Sequence, residues 1–264
     1  MIEQLIERAL ANAVEPNSAR KISAWNAGMC VRRLWYGEHG VEPTDTESAF
    51  GVIRRFLGEQ IEQLLVTALD ITGLSFPGEQ LEAPSPFPSG RRIYTDLNLV
   101  LDERILSAAT CPKRMRIWDA PQVSVVLPNE YKPVVESAVP LVVPADVKSL
   151  GQFQFERLLA GEFSDYEGQL EVYMRAKGVP LSIVIGCHRD SSKIVFGIIA
   201  SDESRWEKIK GNISVALADE LPGRPYEEEQ NYPCGYCPYR SLCWSPSHPS
   251  AKQLIAQAQE ALTA

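Results

Sequence analysis

The clearest periodicity in the chain runs through Phe50, Ile53, Leu57, Ile61, Leu64, Leu65 and Ala68, apolar residues three and four apart that lay one stripe along a helix. Thr44-Asp45-Thr46-Glu47 ahead of it has capping-box spacing, and Gly73 closes the run. Weaker helical patterns cover residues 1–12, the stretch from Ser23 through Trp25, Met29, Cys30 and Leu34 to Gly37, and Tyr166 to Gly178. Two more run from Ser201 to Ala218 and from Pro249 through Leu254, Ile255, Ala258 and Leu262. Three stretches read as strands instead: Gly90–Leu101, which becomes continuously apolar, Leu141–Ser149, and a hairpin of Pro180–Cys187 with Lys193–Ala200. Between residues 103 and 140, Met115–Trp118 and Val123–Leu127 are candidate strands among prolines 112, 121, 128 and 133. That segment is expected to be an insertion, a hairpin over the face that carries the site.

Composition narrows the class. A chain of 264 residues with 45% hydrophobic and 23% charged side chains can bury one good core. No apolar run reaches the roughly 18 residues of a membrane helix, and the acidic, amphipathic start Met1-Ile2-Glu3-Gln4-Leu5 is unlike a signal peptide. Six cysteines without paired spacing fit a reducing compartment, so a cytoplasmic location is expected. The net charge of −8 excludes a uniformly basic nucleic-acid coat, but it leaves room for a basic cleft lined by Arg32/Arg33, Arg54/Arg55, Arg91/Arg92 and Lys113/Arg114/Arg116.

Several polar residues stand where apolar ones are expected. Glu62 flanks the stripe of the long helix, and Asp96 interrupts a strand that should be central. Asp119, in the insertion, is a rival to Asp96. Asp146 and Lys148 are two apart on a core strand, so alternation puts them on one face. Gln169 and Tyr173 are one helical turn apart. Read singly, each has an ordinary structural explanation: a surface glutamate, an ion pair, a solvated helix face. The cysteines form a second set. Cys234, Cys237 and Cys243 have C-x2-C-x5-C spacing, three thiols where a tetrahedral site wants four, and Cys30 is the candidate fourth. Cys111 and Cys187 stand apart in other runs.

The order of these features, from the helical acid through the strand Asp, Asp-x-Lys-Ser and Gln-x-x-x-Tyr to a hairpin, resembles the PD-(D/E)XK nuclease superfamily in its RecB-like branch. Cys30, followed by Arg32, Leu34 and Tyr36, together with Cys234, Cys237 and Cys243, resembles the iron–sulfur members, among them the CRISPR-associated Cas-four exonucleases, phage exonucleases and the AddB nuclease domain. The resemblance implies an α/β fold, a central mixed β-sheet flanked by helices in a restriction-endonuclease-like core. It also implies a helical iron–sulfur subdomain joining the N- and C-terminal segments. The expected division is a single nuclease domain over 1–264, with a core at 38–200, an insertion at about 103–140, and a cluster subdomain from 20–37 plus 201–264. The family often has histidine where Glu62 stands, and the interval from Asp96 to Asp146 is longer than its usual spacing.

By the same resemblance the chain hydrolyses phosphodiester bonds of DNA as an exonuclease, at single-stranded ends, using Mg²⁺ or Mn²⁺. Asp96, Asp146 and the Val147 carbonyl would be direct ligands, with Glu62 completing the set. Lys148 would orient or deprotonate the attacking water, and Gln169 and Tyr173 would hold the substrate strand. The four thiolates would hold a structural [4Fe–4S] cluster, with zinc as the rival metal. A non-catalytic nucleic-acid-binding or scaffold subunit of a recombination, repair or CRISPR-adaptation complex is the alternative. A helicase, an integrase or a second copy of the chain is a candidate partner.

Overall fold

The computed structural model describes residues 21–45, 49–76, 82–83, 87, 93–95, 97–229, 233–245, 248–249 and 251–263. Asp96, Glu47 and the predicted helix over residues 1–12 lie outside the described residues. The chain divides into two compact units, Phe56–Trp206, and Met1–Arg55 with Glu207–Ala264.

The unit Phe56–Trp206 is built on a seven-stranded mixed sheet. Its strands are β1 (Ser75–Phe76), β4 (Leu97–Leu101), β5 (Ala109–Thr110), β6 (Val123–Val126), β7 (Leu141–Leu150), β8 (Leu181–His188) and β9 (Ile194–Ala200). Across the sheet they run β1-β4-β7-β8-β9-β6-β5. β2 (Glu82–Ala83) and β3 (Ile93–Tyr94) form a separate antiparallel pair. β7 lies antiparallel to β4, with Leu97 opposite Ala145, and parallel to β8, with Asp146 opposite Val184. β8 and β9 are the antiparallel hairpin that the two apolar runs predict.

Alternation on β7 sorts its side chains. Val143, Ala145 and Val147 face an apolar core with Leu97, Leu99, Leu101, Ile183, Ile185 and Ile198. The long helix α2 (Ala49–Ile71) contributes Leu65, Val66 and Leu69 to that core. α2 is the helix of the strong periodicity, numbered after α1 (Val31–Glu38). It ends where Gly73 takes φ +64° and Leu74 N–H reaches back to the Leu69 carbonyl, a Schellman-type close. By parity, Asp146 and Lys148 point to the opposite face of β7, against which α6 (Glu167–Lys177) packs.

The segment 103–140 departs from its sequence expectation. It is no hairpin over one face: it gives α3 (Glu103–Leu106), β5, β6 and α4 (Lys132–Ala138), and it extends the sheet. β6 pairs parallel with β9, and β5 pairs parallel with β6 beyond it. Met115–Trp118 is not a strand either. Ile117–Asp119 forms a 3-10 turn, because Lys193 Nζ gathers the carbonyls of Ile117 (2.6 Å) and Ala120 (2.5 Å) and closes the backbone on itself. α5 (Gln152–Leu159) follows β7 and packs on β8 and β9. A Cβ on Gly186, the register partner of Lys148, would come within 2.7 Å of both Leu150 and Leu158, so glycine allows this close approach.

The other unit holds α1, most of α7 (Glu203–Leu217), α8 (Arg240–Trp244) and α9 (Ala251–Thr263), and a 3-10 turn covers Cys234–Tyr236. Helix α1 starts at Val31 with Cys30 at its N-cap, seven residues later than the expected cap Ser23, whose stretch forms turns. Trp35 and Tyr36 are fully buried, and Trp35 Nε1–H donates to the Ala218 carbonyl at 2.8 Å. The predicted cap Thr44-Asp45 serves elsewhere: Asp45 accepts from Ser241 N–H (2.8 Å) and Ser241 Oγ (2.6 Å) at the start of α8. Among the described residues, no helix is long and apolar enough to cross a membrane.

Candidate active site

Asp146 is the centre of the polar face of β7. It is fully buried, in the middle of a ten-residue strand, where a bare carboxylate would be prohibitively costly. Its Oδ1 accepts from Lys148 Nζ at 2.7 Å and from Gln169 Nε2 at 2.7 Å. Its Oδ2 lies 2.7 Å from the same ammonium but out of hydrogen-bonding alignment, and it has no hydrogen-bond partner. A buried carboxylate oxygen left in that condition has capacity for a further positive ligand.

Around it the elements supply one group each. Lys148 comes from the same strand face and keeps 26% of its side chain exposed, so the group opens to solvent on that side. Gln169 comes from α6 and also donates to Tyr173 Oη at 2.7 Å, which locks the amide orientation toward the carboxylate. Glu62, half-buried on α2, is in electrostatic contact with both Lys148 and Asp146. Burial pushes the Glu62 carboxyl above its usual range, the Lys148 ammonium pulls it down, and the Asp146 and Glu59 carboxylates push it up again. Val147 is buried between Asp146 and Lys148, its side chain in the apolar core and its backbone in register with Ile185.

Thus Asp146, Lys148, Gln169 and Tyr173 meet by direct contact, and Glu62 joins them electrostatically. Asp96 cannot be placed among the described residues; its sequence neighbour Leu97 pairs with Ala145, the residue before Asp146. Asp119, its rival, is exposed on the 3-10 turn, and no described contact links it to Asp146. Asn98 was not singled out by the sequence. It lies opposite Pro144, hence on the Asp146 face of the sheet, and its buried Nδ2 has no hydrogen-bond partner. An amide interrupting an apolar strand is the signal that could have found it. Glu171 is a second omission. Fully buried on α6, it accepts from Arg175 Nε (2.8 Å), Arg205 Nη1 (2.9 Å) and Asp202 N–H (3.0 Å), and so anchors the helix that carries Gln169.

The four candidate thiols belong to the other unit. The Cys30 thiol is pushed up by burial and by the proximity of Cys243 and Cys234, against the backbone N–H groups of Arg33 and Arg32 at the start of α1. The Cys237 thiol is pushed up to about 11, mainly by burial, with Cys30 and Cys243 adding to it and the Tyr239 N–H and Arg33 opposing. Cys30 therefore senses all three late cysteines. Among the described residues, however, no group of three or more His, Cys, Asp or Glu side chains is already gathered as tightly as a metal ion requires. The donor set suits soft metals, since thiolates are ligands for zinc and iron–sulfur clusters.

No family model matches the chain, and no curated protein matches it in sequence. Several solved structures do. The crystal structure of SSO0001 aligns over 95% of this chain and 98% of that one, with a TM-score of 0.48 and 13% identity. The structure of LHK-Exo in complex with dAMP aligns over 63% of this chain and 68% of that one, with a TM-score of 0.40 and 14% identity. An alkaline exonuclease (LHK-Exo) from Laribacter hongkongensis aligns over the same shares, with a TM-score of 0.36 and 15% identity. These are distant likenesses, and we draw the function from the chain's own residues.

Proposed function

We propose that the chain is a metal-dependent exonuclease that hydrolyses phosphodiester bonds of DNA at single-stranded ends, of the RecB-like PD-(D/E)XK kind. The observation that carries this reading is the buried Asp146 carboxylate, bonded on Oδ1 by Lys148 and Gln169 and left with an unbonded Oδ2 beside Glu62. Hard oxygen donors of this kind suit Mg²⁺ or Mn²⁺. Asp146, Glu62, Asp96 and the Val147 carbonyl would hold the ion. When bound, it supplies charge to the scissile phosphate and lowers the pKa of its water.

The chain's own groups do the rest. Lys148, two residues from Asp146 on the same strand face, holds a proton at Nζ within reach of the carboxylate and orients the attacking water. Gln169, fixed by Tyr173, turns its amide toward the same point and steadies the strand being cut. The shallow exposure of Lys148 gives the substrate its approach. In the other unit, Cys30, Cys234, Cys237 and Cys243 would hold a [4Fe–4S] cluster as a structural staple, with zinc as the alternative metal for the same donors.

The test is digestion of end-labelled DNA with Mg²⁺ or Mn²⁺. Asp146→Asn and Lys148→Ala should each lower the rate by at least about a thousandfold, because each removes a charge that acts at the reacting phosphate. Digestion by either variant at the unmutated rate would overturn the assignment.

A further inference from the structure

Two large aromatic side chains stand in solvent on neighbouring elements, one of them just beyond the end of β7. Phe153, on the first turn of α5, is 68% exposed, and Trp118, on the 3-10 turn, is 67% exposed. The turn and the helix that carry them pack against each other. Glu156, one turn after Phe153, accepts from the Ile117 N–H at 3.2 Å and from Gln152 Nε2 at 3.1 Å, tying the turn that carries Trp118 to the helix that carries Phe153. Leaving two such rings in water forgoes a few kcal/mol of burial, roughly 1.5–3 kcal/mol for a Phe alone. The turn is also rigid, with the Lys193 ammonium clamping its carbonyls.

Arginines stand near the rings, and acids balance them. Arg157 places its guanidinium carbon 5.8 Å from the centroid of the Phe153 ring while pairing with Glu162 and Asp165. Arg189 rests over Gly151, the residue that leads into α5, with its Nη2 3.4 Å from where a Cβ would lie. Arg116 is exposed immediately before the turn. Two exposed acids, Asp119 and Asp190, stand on the same two turns, so the summed charge is small. The partner that fits is one that stacks flat rings on aromatic faces and needs modest electrostatic attraction: the unpaired bases of a single strand.

We propose that Phe153 and Trp118 form a base-stacking platform for single-stranded DNA. It rests on the nuclease reading for its purpose, because only five residues separate Lys148 from Phe153, at most about 18 Å of chain. A strand cut at Asp146 and Lys148 would thus lay its bases on the two rings a few nucleotides from the scissile bond. The platform grips by ring faces, so it is indifferent to base identity, as an exonuclease that advances along a strand requires.

The experiment measures the affinity of the full chain for a fluorescent 20-nucleotide oligothymidylate in EDTA, where no metal-dependent cleavage occurs. In parallel, Mn²⁺-dependent hydrolysis of bis(p-nitrophenyl) phosphate, too small to reach the platform, is followed. Phe153→Ala and Trp118→Ala should each weaken oligonucleotide binding about tenfold, about 1.4 kcal/mol. The salt dependence of binding should be nearly unchanged. Phe153→Tyr and Trp118→Phe should bind within about threefold of the parent, and all four variants should hydrolyse the small diester at the parent rate. Unaltered binding in both alanine variants would overturn the platform, as would equal losses in the conservative variants or a matching loss of diester hydrolysis. If the parent binds the oligonucleotide but hydrolyses neither substrate, the nuclease reading fails while the binding comparison still decides the platform.

Discussion

At the scale of single residues, Asp146 is the position on which the most depends. A fully buried carboxylate needs a cation, and Lys148 lies 2.7 Å from Asp146 to fill that need. Removing the ammonium would leave the charge unpaired. Lys148→Met should therefore lower stability by about 2–3 kcal/mol in EDTA, less than for a fully enclosed pair because Lys148 is partly exposed. Mn²⁺ should restore part of that loss by supplying positive charge to the Asp146 carboxylate. Denaturant melts with and without the ion measure both effects; a variant as stable as the parent in EDTA would contradict the pairing. Asp146 and Lys148 were legible in the sequence because a two-residue period needs only the strand to be identified. Glu171 was not, since its significance comes from Arg205 and the Asp202 N–H, more than thirty residues away in the chain.

At the scale of elements, α6 is held in place by its ends. Gly178 closes it in the left-handed conformation (φ +67°), and Glu171 ties its middle to the start of α7 through Arg205. Glu171→Gln keeps the shape but removes the buried charge that Arg175 and Arg205 share, leaving them only Glu203 and Glu167, and should cost about 2–3 kcal/mol. A drop in Tm of roughly 4–10 °C follows for a chain of this size; an unshifted melt would show the network to be dispensable. Gly186→Ala tests the sheet in the same way. Its methyl would press on Leu150 and Leu158, both buried, so a loss of about 1–3 kcal/mol is expected in denaturant melts. The helices and the β8–β9 hairpin were readable because their signals are local: period, cap and glycine stop. The insertion at 103–140 was not. The parallel pairing of β6 with β9 joins residues about seventy apart, and local alternation carries no record of it. Met-Arg-Ile-Trp at 115–118 alternates like a strand, yet Lys193 bends it into a turn.

At the scale of the whole molecule, the sequence sorts two sets of side chains into two units, the Asp146 and Glu62 carboxylates in Phe56–Trp206 and the thiols of Cys30, Cys234, Cys237 and Cys243 in the other. Beyond the effect of burial, Cys243 and Cys234 push the Cys30 thiol up, and Cys30 and Cys243 push up that of Cys237. We expect anaerobically purified protein to be brown, with about four irons per chain and visible absorption that bleaches on reduction. Cys30→Ser should lose the colour and the iron, whereas Cys111→Ser should keep both. A colourless parent carrying one zinc per chain would replace the cluster with the rival metal. Grouping Cys30 with the late triplet rests on its match to a known motif order, since spacing alone leaves the fourth ligand open.

The most direct measurement of the central claim is the digestion of 5′- and 3′-end-labelled single-stranded DNA by purified protein with Mn²⁺, run beside Asp146→Asn protein with the same fold and melt. The account predicts metal-dependent release of short products from the parent, abolished by EDTA, and none from the variant. Equal digestion by both proteins, or no digestion by a correctly folded, metal-loaded parent, would contradict it.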